Sequence, residues 1–128
     1  MIKKDYIQRY LDELSKVLAV VLKLKQNNEP EKADLQLDEF GENFLSLNLN
    51  QLIEKYNENS IEDLITKHQF EITHFKILEE LLYHKYLLNT DNLVLKRITL
   101  DIMNYLSKTD KDFSFDRMTR INQLTWKK

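Results

Sequence analysis

Along residues 5–26 the apolar side chains Ile7, Leu11, Leu14, Leu18 and Val21 recur at alternating steps of four and three, and Tyr6, Tyr10, Val17 and Leu24 form a second stripe beside them. This is the period of an α-helix, and two apolar stripes predict two neighbours: either two elements of the same fold, or one of them from another chain. Asp5 near the start and Lys23 and Lys25 near the end suit the helix dipole. The stretch "NNEPEKAD" then turns the chain, because Pro30 fits a first helical turn and displaces its predecessor from helical geometry. From Pro30 onward Ala33, Leu37, Phe40, Phe44 and Leu47 repeat the same steps, which predicts an antiparallel hairpin. Gly41 lies inside that pattern at a cost of roughly 1 kcal/mol against Ala, which suits a close helix crossing.

The stretch "NLNQLIEKYNENS" breaks the period and predicts a short helix near Gln51 to Tyr56, then a linker. Ser60, with Asp63 three residues on, reads as the cap of a short helix carrying Ile61, Leu64 and Ile65. From about Phe70 to Leu88 the apolar residues cover most of the helix circumference, the mark of a central, buried helix. "NTDN" makes the next turn, with Thr90 or Asp91 as the expected cap for a helix bearing Leu95, Ile98, Ile102 and Leu106. Ser114 is placed to cap a last helix with Phe115, Met118, Ile121 and Leu124.

The expected fold is all-α, a single domain of five to six helices in stacked antiparallel hairpins, a short solenoid or bundle. Its parts are a hairpin at residues 5–47, a linker at 48–60 and a second helical layer at 61–127. A shift of 61 residues pairs Leu14 with Phe75, Val21 with Leu82 and Leu37 with Ile98, as two similar hairpins would.

Composition narrows the classes. One Gly and one Pro in 128 residues leave too few turn formers for a many-stranded sheet. The absence of cysteine excludes disulfides, thiolate metal sites and a cysteine nucleophile, and one glycine excludes a Gly-rich phosphate loop. No run approaches 18 uncharged apolar residues, so the expectation is a cytoplasmic protein with no membrane partner. A net charge of −2 argues against general nucleic-acid binding, although residues 1–64 carry 8 basic and 13 acidic side chains and residues 65–128 carry 11 and 8.

The sharpest candidate chemistry is "EITH", which puts Glu71 and His74 three residues apart on one helix face. Di-metal carboxylate bundles use that spacing from two helices, with further carboxylates from two others. Here the pair occurs once, Glu42 or Glu13 would have to supply the remaining ligands, and His84, paired with Glu80, lies roughly 80° around the helix from His74. No cofactor is expected. "RMTRINQLTWKK" offers Arg117, Arg120 and Trp126 as a basic, aromatic tail, the residue types through which single strands or surfaces are bound.

The segments "DYIQRYLDEL", "EPEKADLQLDEF", "SIEDLI" and "DFSFDRMTRINQL", in this order over nearly the whole chain, resemble a small uncharacterised bacterial family of tetratricopeptide-like helical proteins. The resemblance implies a stack of helical hairpins and no known biochemical activity. The chain lacks the Trp, Leu-Gly and Tyr pattern of tetratricopeptide repeats and their period of about 34 residues. The function expected is non-enzymatic: a helical interaction module that binds a protein partner or its own copy as a homodimer. Tyr6, Tyr10, Val17, Leu24 and Trp126 are the candidate contact residues. The alternative is a metal-dependent enzyme built on Glu71 and His74, and a third reading is weak nucleic-acid binding by the basic C-terminal part.

Overall fold

A computed structural model describes the backbone of residues 4–125 and the side chains of residues 9–125. The described residues form seven helices and no strand: α1 Lys4–Gln26, α2 Pro30–Leu45, α3 Leu49–Glu54, α4 Ser60–Thr66, α5 Ile72–Leu88, α6 Leu93–Thr109 and α7 Phe115–Thr125. The all-α expectation is met. The count is seven and not five or six, with both of the short helices read from the sequence, α3 and α4, formed as separate elements. The chain divides into two compact units, the first ending at Lys55 and the second beginning at Tyr56, inside the stretch read as a linker.

In the first unit α1 and α2 pack as a hairpin. The turn is set by Asn28 at φ 61°, with the Glu29 N–H donating to the Leu24 carbonyl at 2.8 Å and the Asn28 N–H to Lys25 at 3.0 Å. This reciprocal closure satisfies carbonyls that the helix end leaves open, and Asn tolerates the left-handed geometry it needs. Leu14 and Val21 of α1 are buried, as are Ala33, Leu37 and Phe40 of α2. Tyr10 meets Phe44 edge-on at 5.3 Å between ring centroids, and Phe44 stacks on Phe40 at 4.3 Å. A Cβ on Gly41 would lie 3.0 Å from Leu49 Cγ and 3.2 Å from the Leu47 carbonyl. The glycine lets the chain after α2 fold back against it, and Ser46 at φ 51° makes that reversal.

In the second unit α5 packs on α6 and α6 on α7. Phe75, Ile77, Leu78, Leu81 and Leu82 of α5 and Ile98, Ile102, Met103 and Leu106 of α6 have no exposure. Tyr83, Met103 and Leu124 form a cluster that brings α7 onto the pair. Two caps and one helix start differ from expectation. The α6 cap is Asn92, whose Oδ1 accepts from the Leu95 N–H at 3.0 Å, and neither Thr90 nor Asp91 serves; Asn has the short acceptor a cap requires and stands directly before the first helical residue. Ser60 is the first residue inside α4 and its Oγ accepts from the Asn57 N–H at 2.9 Å, so it closes the preceding turn instead. α5 begins at Ile72 and not at Phe70, because Glu71 is extended and Gln69 takes φ 57°. Ser114 does cap α7, accepting from the Arg117 N–H at 3.1 Å.

Candidate functional site

A helix that is apolar all round has no wet face for a charge, so a carboxylate in its middle must find a partner indoors. Glu79 of α5 is that carboxylate, and Arg117 of α7 is the partner. Arg117 Nε donates to Glu79 Oε2 at 2.7 Å and Nη2 to Oε1 at 3.0 Å, a two-point match of fork to carboxylate. Both side chains are 5% exposed. Burial pushes the Glu79 carboxyl above its ordinary value, against the opposing pull of Arg117.

The remaining guanidinium nitrogen, Nη1, lies 3.5 Å from Asp110 Oδ2, and Lys76 Nζ lies 3.2 Å from the same oxygen. Burial acts to raise the Asp110 carboxyl, but the Asp112 N–H, Lys76 and Arg117 together hold it below the usual range. One turn along α7, Arg120 lies over the Tyr83 ring at 4.2 Å from its centroid and donates to Glu80. Tyr83 in turn donates to Gln123 Oε1 at 3.1 Å. Charge thus pins α7 to α5 and fixes the start of the loop between α6 and α7.

That loop and the first turn of α7 expose apolar side chains beside the pinned residues. Phe113 is 77% exposed, Phe115 74% and Met118 45%. Phe113 and Met118 border a cleft of about 250 Å³ that is floored by Asp110 and Arg117 and edged by Ser107 and Lys111. A second, wider cleft of about 600 Å³ is lined by Tyr56, Asn57, Asn59, Leu93, Val94 and Arg97. At its side the Tyr56 hydroxyl donates to Asp101 Oδ2 at 2.6 Å, and burial, with Asp101, raises the phenol above its ordinary value.

The residues singled out from sequence fall elsewhere. Glu71 and His74 form a reciprocal cap for α5: the His74 Nδ1 accepts from the Glu71 N–H at 2.8 Å, and the Glu71 carboxylate accepts from the His74 N–H. Phe70 stacks on the imidazole at 5.1 Å. Burial lowers the His74 pKa, opposed in part by the Glu71 charge, and the bond accepted at Nδ1 leaves the proton of the neutral ring on Nε2. Among the described residues no group of three or more His, Asp or Glu side chains is placed to hold a metal ion. Tyr10, Val17 and Leu24 are half-buried, while Leu11, Val20 and Leu22 of the same helix are 40–48% exposed. The Tyr6 side chain and Trp126 lie outside the described residues. Arg117 and Arg120 are committed to Glu79 and Glu80, which removes two of the basic groups that the C-terminal segment would have offered to phosphate. Among the described residues no helix is long and apolar enough to cross a membrane.

No family model, curated protein or solved structure matches the chain.

Sequence reasoning missed Glu79 and the Phe113–Met118 surface, and it read Arg117 as part of an open basic tail and not as a buried partner. The signal for Glu79 was present, since any charge on an all-round apolar helix must be buried. Its partner was invisible, 38 residues away on a helix whose pattern reads as an ordinary amphipathic one.

Proposed function

We propose that the chain is a non-enzymatic, cytoplasmic interaction module of tetratricopeptide-like helical hairpins, which presents the Phe113–Met118 segment to a protein. The observation that carries this reading is the exposure of Phe113 and Phe115, 77% and 74%, on a segment whose base is fixed by the Arg117–Glu79 pair. Aromatic side chains give large contact area at low conformational cost, and rigidity beneath them reduces the entropy lost on binding. The half-buried Tyr10, Val17 and Leu24 are weaker candidates, because each already spends part of its surface on its own fold.

The test is photo-crosslinking in intact cells with p-benzoylphenylalanine in place of Phe113. A discrete adduct that disappears when Phe115→Ser is added supports the module. Equal labelling with and without that change, or none at all, refutes it.

A further inference from the structure

We infer that the segment 107–118 is a self-complementary docking surface whose occupant is the same segment of a second copy, related by a two-fold axis. The inference rests on the interaction-module reading and names its partner. A two-fold interface must carry knob and hole on one patch, since each copy both inserts and receives. Here both lie within twelve residues. Phe115 projects, 74% exposed, and Met118 stands one helical turn further on α7. The cleft of about 250 Å³ that Met118 and Phe113 border is open beside them. Its floor is tied down, with Arg117 held by Glu79 at two points and Asp110 by Lys76 and Arg117.

Charge favours the same occupant. Lys111 and Asp112 are adjacent, exposed and of opposite sign at the rim of the cleft. A two-fold axis through the rim sets Lys111 of each copy beside Asp112 of the other, whereas a partner with a surface of one sign would meet one of the two as a repulsion.

Area sets the strength. An aromatic side chain buries about 150–250 Å² when covered, so two three-quarters-exposed rings per copy plus a methionine leave the whole interface below about 1,200 Å². Interfaces of that size belong to the weak, transient class, so the dimer should appear only as the protein is concentrated.

The experiment is sedimentation equilibrium of the full chain over concentrations from about 10 µM to about 1 mM. The expected result is a weight-average mass that rises from 15.5 kDa towards twice that value. Phe115→Ser, at an exposed position that leaves the circular dichroism melt unchanged, should hold the mass at the monomer value. Lys111→Asp alone should weaken association at least about tenfold by setting like charges opposite each other, and the exchange Lys111→Asp with Asp112→Lys should restore it. A mass that stays at 15.5 kDa throughout overturns the inference, as does an exchange variant no better than the single reversal. A monomer at every concentration whose residue 113 still crosslinks to a different protein in cells sinks the self-docking and leaves the interaction module standing. Absence of both removes the two together.

Discussion

Arg117→Met keeps the unbranched apolar stem of the side chain while deleting its charge and the two hydrogen bonds of 2.7 and 3.0 Å to Glu79. Glu79 is then left 5% exposed with no cation on its oxygens. Removing one partner of a buried pair costs about 3–5 kcal/mol, because the orphaned charge keeps its desolvation penalty. Against a total stability of about 5–15 kcal/mol this is a large fraction. With a urea slope of about 1–3 kcal/mol/M, the unfolding midpoint should fall by roughly 2 M.

The loss has a pH signature. Burial already raises the Glu79 carboxyl above its unfolded value, and without Arg117 the rise is larger. A carboxyl whose folded pKa lies above its unfolded pKa favours the native state at low pH, and that advantage is lost as pH rises through the folded value. The variant should therefore recover stability relative to wild type as pH is lowered from 8 towards the ordinary carboxyl range of about 4.3. The double variant Glu79→Leu/Arg117→Met removes both charges and should return to within about 1–2 kcal/mol of wild type. Urea unfolding followed by circular dichroism at several pH values reads all three proteins. A single variant that costs less than about 1 kcal/mol, or a double variant as unstable as the sum of the singles, would falsify the account of Glu79 as a dependent, buried charge.

Four further outcomes follow from the caps, the turns and the buried hydroxyl. His74→Ala should lose about 0.5–2 kcal/mol in urea unfolding, whereas His74→Gln, which can still accept from the Glu71 N–H, should lose less. Because burial lowers the His74 pKa, its contribution is present above the unfolded value of about 6.5 and is lost as pH falls through the folded value; the stability difference between wild type and His74→Gln should shift over that interval and stay level above it. Tyr56→Phe should cost about 1 kcal/mol by removing the 2.6 Å bond to Asp101, and an absorbance titration should show a phenol ionising above the ordinary tyrosine range, a feature absent from the variant. Ser46→Gly should stabilise the first unit by about 0.5 kcal/mol in thermal unfolding, since φ 51° costs Ser about 1–2 kcal/mol that glycine avoids, offset by the glycine's greater chain entropy.

Much of the fold was legible because helix periodicity is a local signal. The steps of four and three located α1, α2 and α6, an apolar run covering most of the circumference located α5, and Pro30 and Ser114 marked two starts to the residue. What failed was the choice among rival short polar side chains. Thr90, Asp91 and Asn92 all have the chemistry of a cap, and the backbone path decides for Asn92. Ser60 and Asn59 present the same ambiguity. The candidate site was less legible because its meaning is tertiary. "EITH" has the spacing of a ligand pair and equally the spacing of a capping box, and the structure uses it as the latter. Phe115 reads as part of the apolar face of the last helix, and although the Ser114 cap leaves Phe113 in the preceding loop, nothing in the local pattern says that neither ring has anything over it.

The bidentate pair between residues 79 and 117 has a consequence for the order of assembly. Helix contacts within each unit run mainly between sequence neighbours, α1 with α2, α5 with α6 and α6 with α7, and such topologies form quickly because little loop entropy is spent before contacts are made. The fork of Arg117 can close on Glu79 only once α5 and α6 have created the dry wall behind the carboxylate. The ion pair that docks α7 thus closes after the α5–α6 wall has formed, and the Phe113–Met118 segment at its root takes its final shape after the helices beneath it.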